Sequence, residues 1–415
     1  MRWADLSHAY GPADDVPELL RGLTDADPEV RADAIDELYG NIWHQGTVYS
    51  STAYAVPFLA RIVADRSVAN RASVLGLLAS ISAGSGYVQV HRQFMQRWSA
   101  PDPRELDDQE VAEEQWVSAA RNAVIDAGPG LLDLLDDDDV EVRRTLPYAL
   151  GGLPEIAGVL APRLASRFSG EPDEAARASI VFGLAALGRG SGDPGLVSPV
   201  IEHARRGSDA ERLAAAIVDA GSAGQEQSAV AAAIDDFVAA VPGGSDAVDS
   251  LAWPRGDGAA GMMVSALGGR PEAEFQLASR MYASADPAMR NRAVSGAGNL
   301  ARQSRSELAP LLLPNLSSGD EWLQVRSARA YFRLTGDTAA VLPVLLGRAS
   351  TQPAGIAAVE ALGWLGHRAS AVAPQLEQWL SQDERAGGIS LGGAIEHDEN
   401  VQEIARTTLA AIRQT

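Results

Sequence analysis

The sequence contains no cysteine and no lysine, so that all 34 of its basic residues are arginine. Without cysteine there is no thiolate nucleophile, no cysteine-ligated zinc and no disulfide. Without lysine there is no Schiff-base amine and no phosphate-binding P-loop lysine. Aromatic residues make up only 6% of the chain and β-branched runs are short, so we expect little β-sheet. These absences exclude several large classes of enzyme.

The chain also lacks long apolar runs. No stretch of about 18 apolar residues is free of charge, which argues against a transmembrane helix. The first residues, MRWAD, have no apolar segment typical of a signal peptide, so we expect a cytoplasmic protein. The 55 acidic residues give a net charge of −21. Because nucleic-acid-binding proteins cluster basic residues to neutralise phosphates, we do not expect a nucleic-acid partner.

One short pattern recurs along the chain: an aspartate, an arginine four residues later, and an apolar residue three positions beyond. It reads DPEVRADA, DVEVRRTL, DEAARASI and DPAMRNRA in its four clearest copies, and weaker copies lie between them. The arginines Arg143, Arg177 and Arg212 follow one another at intervals of 34 and 35 residues. A fixed period of this size is typical of proteins built from stacked repeats.

Each copy of the pattern predicts the start of a helix. Aspartate is a favoured N-cap, and Pro28 and Pro287 stand at the first helical position, where a missing N–H costs little. The apolar residues that follow Asp27 recur at intervals of four, as one face of a helix requires. A second predicted helix lies upstream of most copies, often with an internal proline. One such hairpin cannot bury its apolar stripe alone, so neighbouring hairpins must stack.

This unit resembles a HEAT repeat, and residues 6–62 resemble a group of bacterial HEAT-repeat proteins. The resemblance implies an all-α fold, an α-solenoid of about ten helical hairpins. It also implies ladders between adjacent repeats, formed by the turn aspartates and arginines of the matching pairs. These residues are Asp27, Arg31, Asp139, Arg143, Asp173, Arg177, Asp286 and Arg290.

We expect a single solenoid over residues 1–415. Its predicted parts are N-terminal repeats and a cap (1–80), an insertion (82–113), middle repeats (114–240), an irregular glycine-rich repeat (241–269), and C-terminal repeats with a cap (270–415). Insertions in a solenoid concentrate on one face and often carry the binding site. The places where the repeat breaks are therefore the first to search for function.

Two breaks near the N-terminus carry polar and aromatic side chains. The segment 41–52 is longer than a turn needs, and either caps the stack or binds a ligand. The insertion 82–113 places aromatic and histidine side chains along one helical face, where they serve either packing or binding. The candidate binding residues are Trp43, His44, Gln45, Thr47, Tyr49, Tyr87, His91 and Trp98, and the candidate catalytic residues are His44 and His91.

Nothing in the sequence predicts a metal or a cofactor. The six histidines show no zinc-binding spacing, and the acidic run at 136–139 precedes a predicted helix, where capping explains it. Gly256, Gly258 and Gly261 match G-x-G-x-x-G, but no predicted strand precedes them, and a glycine-interrupted helix is the better interpretation.

Two functions from different classes remain open. The first is a non-catalytic protein-interaction scaffold that uses the concave face of the solenoid and binds a partner with a basic surface. The second is an enzyme or lyase-like protein that binds a small hydrophobic ligand among the N-terminal aromatic and histidine residues, with a histidine as general acid or base. The sequence leans toward the first and against catalysis.

Overall fold

The computed structural model describes residues 2–91, 103–224, 226–253, 258–284, 286, 288–290, 292–293, 306–349, 354–381 and 393–413. Helices dominate this part of the chain, and its strands are four two-residue segments that form two small hairpins. The chain divides into two compact units, one made of residues 1–222 and 240–259 and the other of residues 223–239 and 260–415.

The first unit begins with two short hairpins among helical pairs. Its strands are β1 (Ser7–His8), β2 (Gly11–Pro12), β3 (Trp43–His44) and β4 (Thr47–Val48). Its helices are α1 (Val16–Gly22), α2 (Pro28–Asn41), α3 (Thr52–Ala64), α4 (Arg71–Ser82), α5 (Pro103–Leu131), α6 (Val140–Gly151), α7 (Ala157–Gly170), α8 (Glu174–Ser191), α9 (Ser198–Ala204) and α10 (Asp209–Ser222).

The next helix, α11 (Gln227–Asp249), contributes residues to both units. The second unit continues with α12 (Gly258–Leu267), α13 (Pro271–Tyr282), α14 (Ala309–Leu312), α15 (Glu321–Thr335), α16 (Thr338–Arg348), α17 (Gly355–Trp364), α18 (Ala373–Ser381) and α19 (Gly393–Arg413). Short 3-10 segments precede or follow several helices of both units.

Each unit is a stack of helical hairpins. In the first unit α3 pairs with α4 and α7 with α8, while α4, α6, α8 and α10 pack on one another in sequence order. In the second unit α15 packs on α16, α16 on α17, and α17 on α19. The fold is therefore an all-α solenoid, as the period and the helical spacing predicted.

Local sequence explains where many of the helices begin. Asp27, Asp139 and Asp173 are N-caps, and the side chain of each accepts a hydrogen bond from a backbone N–H in the first turn of its helix. Proline stands inside the first helix of several hairpins, as Pro57 does in α3 and Pro162 in α7. The pattern found in the sequence thus marks the helix starts.

Helix α8 lies at the centre of the first unit and is buried on nearly all sides. Its small side chains allow close contact with α6: a Cβ built on Gly183 would lie 2.8 Å from the carbonyl oxygen of Pro147. Trp253, in the segment that follows α11, covers α6 and α8 from another side. Its ring packs edge-on against Tyr148 at 5.1 Å, and its indole N–H donates to the hydroxyl of Ser179 at 2.8 Å.

The structure describes only part of the predicted glycine-rich repeat. The segment 241–269 contains the end of α11, the Trp253 contact and α12, while Gly256 lies outside the described residues.

Within the described part of the chain, no helix combines the length and apolar character that spanning a bilayer requires.

Candidate functional site

Within the segment 41–52, residues 43–48 form a tight β-hairpin between α2 and α3. Trp43 pairs with Val48, and His44 pairs with Thr47, across a two-residue turn. Gln45 and Gly46 form this turn with φ angles of 50° and 95°. Positive φ at both central residues is the requirement of a type I′ turn, whose twist matches that of the strands. The turn therefore places Trp43 opposite Val48 and His44 opposite Thr47.

Hydrogen bonds hold Thr47 and Tyr49 within the hairpin. The Thr47 hydroxyl donates to the carbonyl oxygen of His44 at 2.7 Å and accepts from the Tyr49 hydroxyl at 2.8 Å. Burial raises the pKa of Tyr49, the Thr47 bond acts against this, and the nearby Tyr87 and Glu113 raise it further. A neutral hydroxyl with an internal partner is suited to positioning, not to proton transfer at neutral pH.

Trp43 packs against α2, the second helix of the first helical pair. Its ring packs edge-on against Tyr39 at 5.8 Å, and its indole nitrogen is buried without a hydrogen-bond partner in the described structure. A buried, unpaired N–H carries a desolvation cost of about 1–3 kcal/mol, which the packing of the ring must offset. Trp43 therefore serves the contact between β3 and α2.

Tyr87 and His91 lie one helical turn apart. Their rings stack at 4.3 Å, and the His91 Nδ1 atom lies 3.1 Å from the carbonyl oxygen of Tyr87. The parallel bridge between Thr47 and Ser85, with the Ser85 N–H donating to the Gly46 carbonyl, joins this region to the hairpin. Trp98, the last member of the predicted stripe, lies outside the described residues.

Glu113 is a buried carboxylate that the sequence analysis did not single out. It is only 2% exposed and accepts hydrogen bonds from the backbone N–H of Val88 at 2.8 Å and from the Gln109 amide at 2.7 Å. It shares a face of α5 with the buried Ala120 and Val124. A carboxylate at helical spacing from apolar residues was the signal that could have found it.

Tyr10 and His44 meet at the surface of the first unit. The ring of Tyr10, which is 70% exposed, lies edge-on to His44 at 5.4 Å, with its hydroxyl 3.5 Å from Nδ1. The buried His8 holds Tyr10 in place. The Nδ1 of His8 accepts the Tyr10 N–H at 3.0 Å, and its Nε2 donates to Asp15 at 3.0 Å. Among the described residues we find no contact between His44 and His91.

Helix α2 presents an exposed row of carboxylates that leads to the Tyr10–His44 pair. Glu29, Asp33 and Glu37 follow one another at intervals of four residues, and Asp36 lies beside them. We call these four residues the acidic face. A Cβ on Gly40, three residues beyond Glu37, would lie 4.0 Å from the Tyr10 ring, so the row ends beneath Tyr10. In the described part of the chain no cation pairs with any of the four.

The arginines of the repeat pattern perform a local task in each copy. The Nη1 of each arginine donates to the backbone carbonyl oxygen of the residue six positions earlier. This bond ties the turn to the helix that follows it. The four copies are Arg31 with Asp25, Arg143 with Asp137, Arg177 with Glu171, and Arg290 with Ser284. Asp286, like the other three aspartates of the pattern, accepts a hydrogen bond from a backbone N–H that closely follows it, here that of Ala288.

Three arginines also reach the next hairpin. Their acceptors are not the capping aspartates: Arg71 binds Asp137, Arg143 binds Glu171, and Arg177 binds Glu211. Asp137 and Glu171 stand two residues before the caps Asp139 and Asp173. Asp173 instead binds Arg144, whose two nitrogens donate to it at 2.7 and 2.8 Å. The arginine row therefore serves cohesion between hairpins.

These arginine–carboxylate contacts join successive helical hairpins of the repeat. The described part of the chain has an all-α solenoid fold. Neither a protein-family model nor a curated protein matches the sequence. Among solved structures, one of importin beta has a TM-score of 0.47 at 16% identity, over 96% of this chain and 58% of that one. Kap121p bound to Pho4p has a TM-score of 0.28 at 11% identity, over 96% of this chain and 49% of that one.

An engineered protein of known structure has a TM-score of 0.32 at 17% identity, over 96% of this chain and 99% of that one. This chain spans about half to three fifths of the length of the importin beta and Kap121p chains. No group of three or more histidine, aspartate or glutamate side chains suited to a metal ion occurs among the described residues.

Proposed function

We propose that the chain is a protein-interaction scaffold whose first unit binds a basic segment of a protein partner. The observation that carries the proposal is the acidic face: four exposed carboxylates on one helix, without a described cation, that end at the exposed Tyr10 ring. A basic segment supplies the missing counter-charges, and an aromatic ring attracts a guanidinium or ammonium group through its π face.

The charge of the two units supports this assignment. The residues of the first unit include 20 arginines and 37 carboxylates, a net charge of −17, whereas the second unit has 14 arginines and 18 carboxylates, a net charge of −4. A large negative potential attracts a positive partner and raises the rate of association. The first unit is therefore the part of the chain where a basic partner gains most.

The acidic face carries a local cost that a partner would remove. Like charges four residues apart on a helix destabilise it by about 0.2–0.5 kcal/mol for each pair. Glu29, Asp33 and Glu37 form two such pairs. Elsewhere in the same unit the carboxylates of Asp137, Glu171 and Glu211 have arginine partners. Those three carboxylates are buried at hairpin contacts, whereas the carboxylates of the acidic face are exposed and open to a partner.

The same part of the chain already holds a cation against an aromatic ring. The Arg61 guanidinium lies 4.9 Å from the centre of the Phe58 ring, and that ring in turn lies 6.3 Å from Trp3. Phe58 and its neighbour Tyr54 are both exposed on α3. This internal pair exemplifies the contact that an arginine of a partner makes with Tyr10.

The test measures binding of a fluorescein-labelled hexa-arginine peptide to the full chain by fluorescence anisotropy at several salt concentrations. The test variant combines Glu29→Gln, Asp33→Asn, Asp36→Asn and Glu37→Gln. The matched control combines Glu114→Gln, Asp126→Asn, Asp138→Asn and Glu174→Gln, which removes the same charge from four exposed positions of the first unit. Equal net charge in the two variants separates the acidic face from the overall potential.

We expect the test variant to bind about tenfold more weakly than the control, since four exposed ion pairs at about 0.2–1 kcal/mol each span that ratio. Tyr10→Ala should weaken binding further, whereas Tyr10→Phe should not. Equal loss in test and control variants would mean that only net charge matters, and the proposal would be wrong.

A further inference from the structure

Two helices of the second unit border an open cavity near their first turns. The cavity has a volume of about 420 Å³ and lies between the start of α11, at Gln227, and the start of α13, which follows Arg270. Both walls belong to the second unit, because residues 223–239 group with residues 260–415. Ligand pockets in proteins typically measure about 300–1,000 Å³, so this cavity is large enough to hold a ligand.

Arg270 fixes one end of the cavity. Its guanidinium donates to the backbone carbonyl oxygens of Gly224 at 2.7 Å, of Ala266 at 3.0 Å and of Leu267. These three bonds tie the end of α12 to the turn before α11. Because its N–H groups serve backbone acceptors, Arg270 is a structural part of the wall.

A second arginine joins the same two helices beyond the cavity. Arg280, on α13, donates to the carbonyl oxygen of Ala231 at 3.3 Å and forms an ion pair with Asp235, and both of these residues lie on α11. The two helices are thus connected on either side of the cavity along their length. The walls are therefore in place before a ligand binds, which lowers the entropy that binding costs.

Two glutamine side chains line the cavity, one from each helix. Gln227 on α11 is exposed and Gln276 on α13 is half-buried, and in the described part of the chain neither side-chain amide forms a hydrogen bond. Each amide carries two N–H donors and an acceptor oxygen. The buried side chains of Val230 and Ala273 also line the cavity. The lining thus combines donors and acceptors with an apolar surface.

The charges that line the cavity balance. Arg270 supplies one positive charge and Glu272 one negative charge. Unlike the acidic face, this lining has no excess of charge that would select a cation or an anion. The described residues that line the cavity include no aromatic ring, so a nucleobase has nothing to stack on. The lining therefore favours a neutral ligand with amide groups over a nucleotide.

We propose that this cavity binds a short, neutral peptide segment of a protein partner. A peptide unit has one N–H and one C=O, and a glutamine amide accepts from the first while it donates to the second. Gln227 and Gln276 bind peptide units of the segment in this way, and a small apolar side chain of the segment packs against Val230 and Ala273. This site goes beyond the binding of a basic segment and does not depend on it.

The test uses the full chain and an Ala-Ala-Val-Ala peptide with an N-terminal trifluoroacetyl group and a C-terminal amide. This probe is neutral and carries no aromatic group, and fluorine NMR of the trifluoroacetyl group measures its binding. The same peptide with methylated backbone nitrogens is the matched ligand, because it keeps the apolar side chains and loses the N–H donors.

The test variant combines Gln227→Met and Gln276→Met, which remove both amides and keep the length of the side chains. The control variant combines Gln375→Met and Gln378→Met, which replace a half-buried and an exposed glutamine on α18 of the same unit. Equal melting temperatures of the two variants show that both fold alike.

We expect the test variant to bind the peptide about tenfold more weakly than the wild type, because it loses the hydrogen bonds of two amides. The control variant should bind as the wild type does, and the methylated peptide should bind the wild type about tenfold more weakly than the unmethylated one. The fourfold variant of the acidic face should leave this binding unchanged, so that the two sites are tested separately.

Four results would overturn the proposal. They are no binding of the peptide to the wild type, equal binding to the test and control variants, equal binding of the methylated and unmethylated peptides, and displacement of the peptide by inorganic phosphate.

Discussion

Arg71 donates two hydrogen bonds to the carboxylate of Asp137, at 2.7 and 2.8 Å, although the two residues lie 66 positions apart. The Arg71 side chain is 5% exposed and that of Asp137 is fully buried. Arg71 also donates to the backbone carbonyl of Val68, and Asp137 accepts the N–H of Asp139. This pair joins the start of α4 to the turn before α6, although α5 lies between them in the sequence.

Removing one partner of this pair should destabilise the protein strongly. In Asp137→Ala the Arg71 guanidinium stays buried without its counter-charge, which typically costs about 3–5 kcal/mol. Asp138→Ala is the control, because the neighbouring side chain is fully exposed and its loss should change stability by less than about 0.5 kcal/mol. Urea unfolding followed by circular dichroism measures both. Equal midpoints for the two variants would contradict the structural role of the pair.

Acid should weaken the protein through the same contacts. The hydrogen bond from Arg71 lowers the pKa of Asp137, and that from Arg144 lowers the pKa of Asp173. A carboxyl with a lowered folded-state pKa contributes stability that is complete above its unfolded pKa of about 3.9 and is lost as pH falls through its folded value.

Stability should therefore change little through these two groups between pH 7 and about pH 5, and should fall below about pH 4. The difference in unfolding free energy between the wild type and Asp137→Asn should shrink over the same acid range, since the protonated aspartate resembles the amide. Urea titrations at pH 6, 4 and 3 measure it. A difference that stays constant down to pH 3 would count against the assignment.

Trp253 should contribute to the stability of the first unit by packing and by one hydrogen bond. We expect Trp253→Ala to cost about 2–3 kcal/mol, below the range of fully buried tryptophans because this ring is half-buried. Trp253→Phe keeps much of the packing and loses only the bond to Ser179, at a cost of about 1 kcal/mol. Differential scanning calorimetry of the two variants distinguishes them; equal losses would show that the hydrogen bond alone matters.

The β3–β4 hairpin should gain stability when its turn is given residues suited to its backbone. Gln45 has a φ of 50°, and asparagine before glycine is the preferred pair for a type I′ turn. Gln45→Asn should therefore stabilise the protein, and Gly46→Ala, at φ 95°, should destabilise it by more than about 0.4–1 kcal/mol. Thermal melts of both variants provide the measurement; a stabilising Gly46→Ala would refute the turn assignment.

The sequence predicted the elements well and the contacts poorly. The starts of α2, α6 and α8 follow from single aspartates, because a cap is a contact between a side chain and its own helix. The all-α solenoid follows from the period, because each hairpin leaves an apolar stripe that only a neighbour can cover. That the two units form one continuous solenoid, and that the N-terminal residues bind a ligand, stay predictions.

Partners distant in the chain were decided by tertiary structure alone. No local pattern pairs Arg71 with Asp137, since the insertion that contains α5 separates their hairpins, and only the close packing of α4 on α6 brings the charges together. The same holds for the hydrogen bond from Trp253 to Ser179, which lie 74 positions apart. Helix starts depend on neighbours along the chain, whereas burial and charge pairing depend on neighbours in space, which a single sequence does not list.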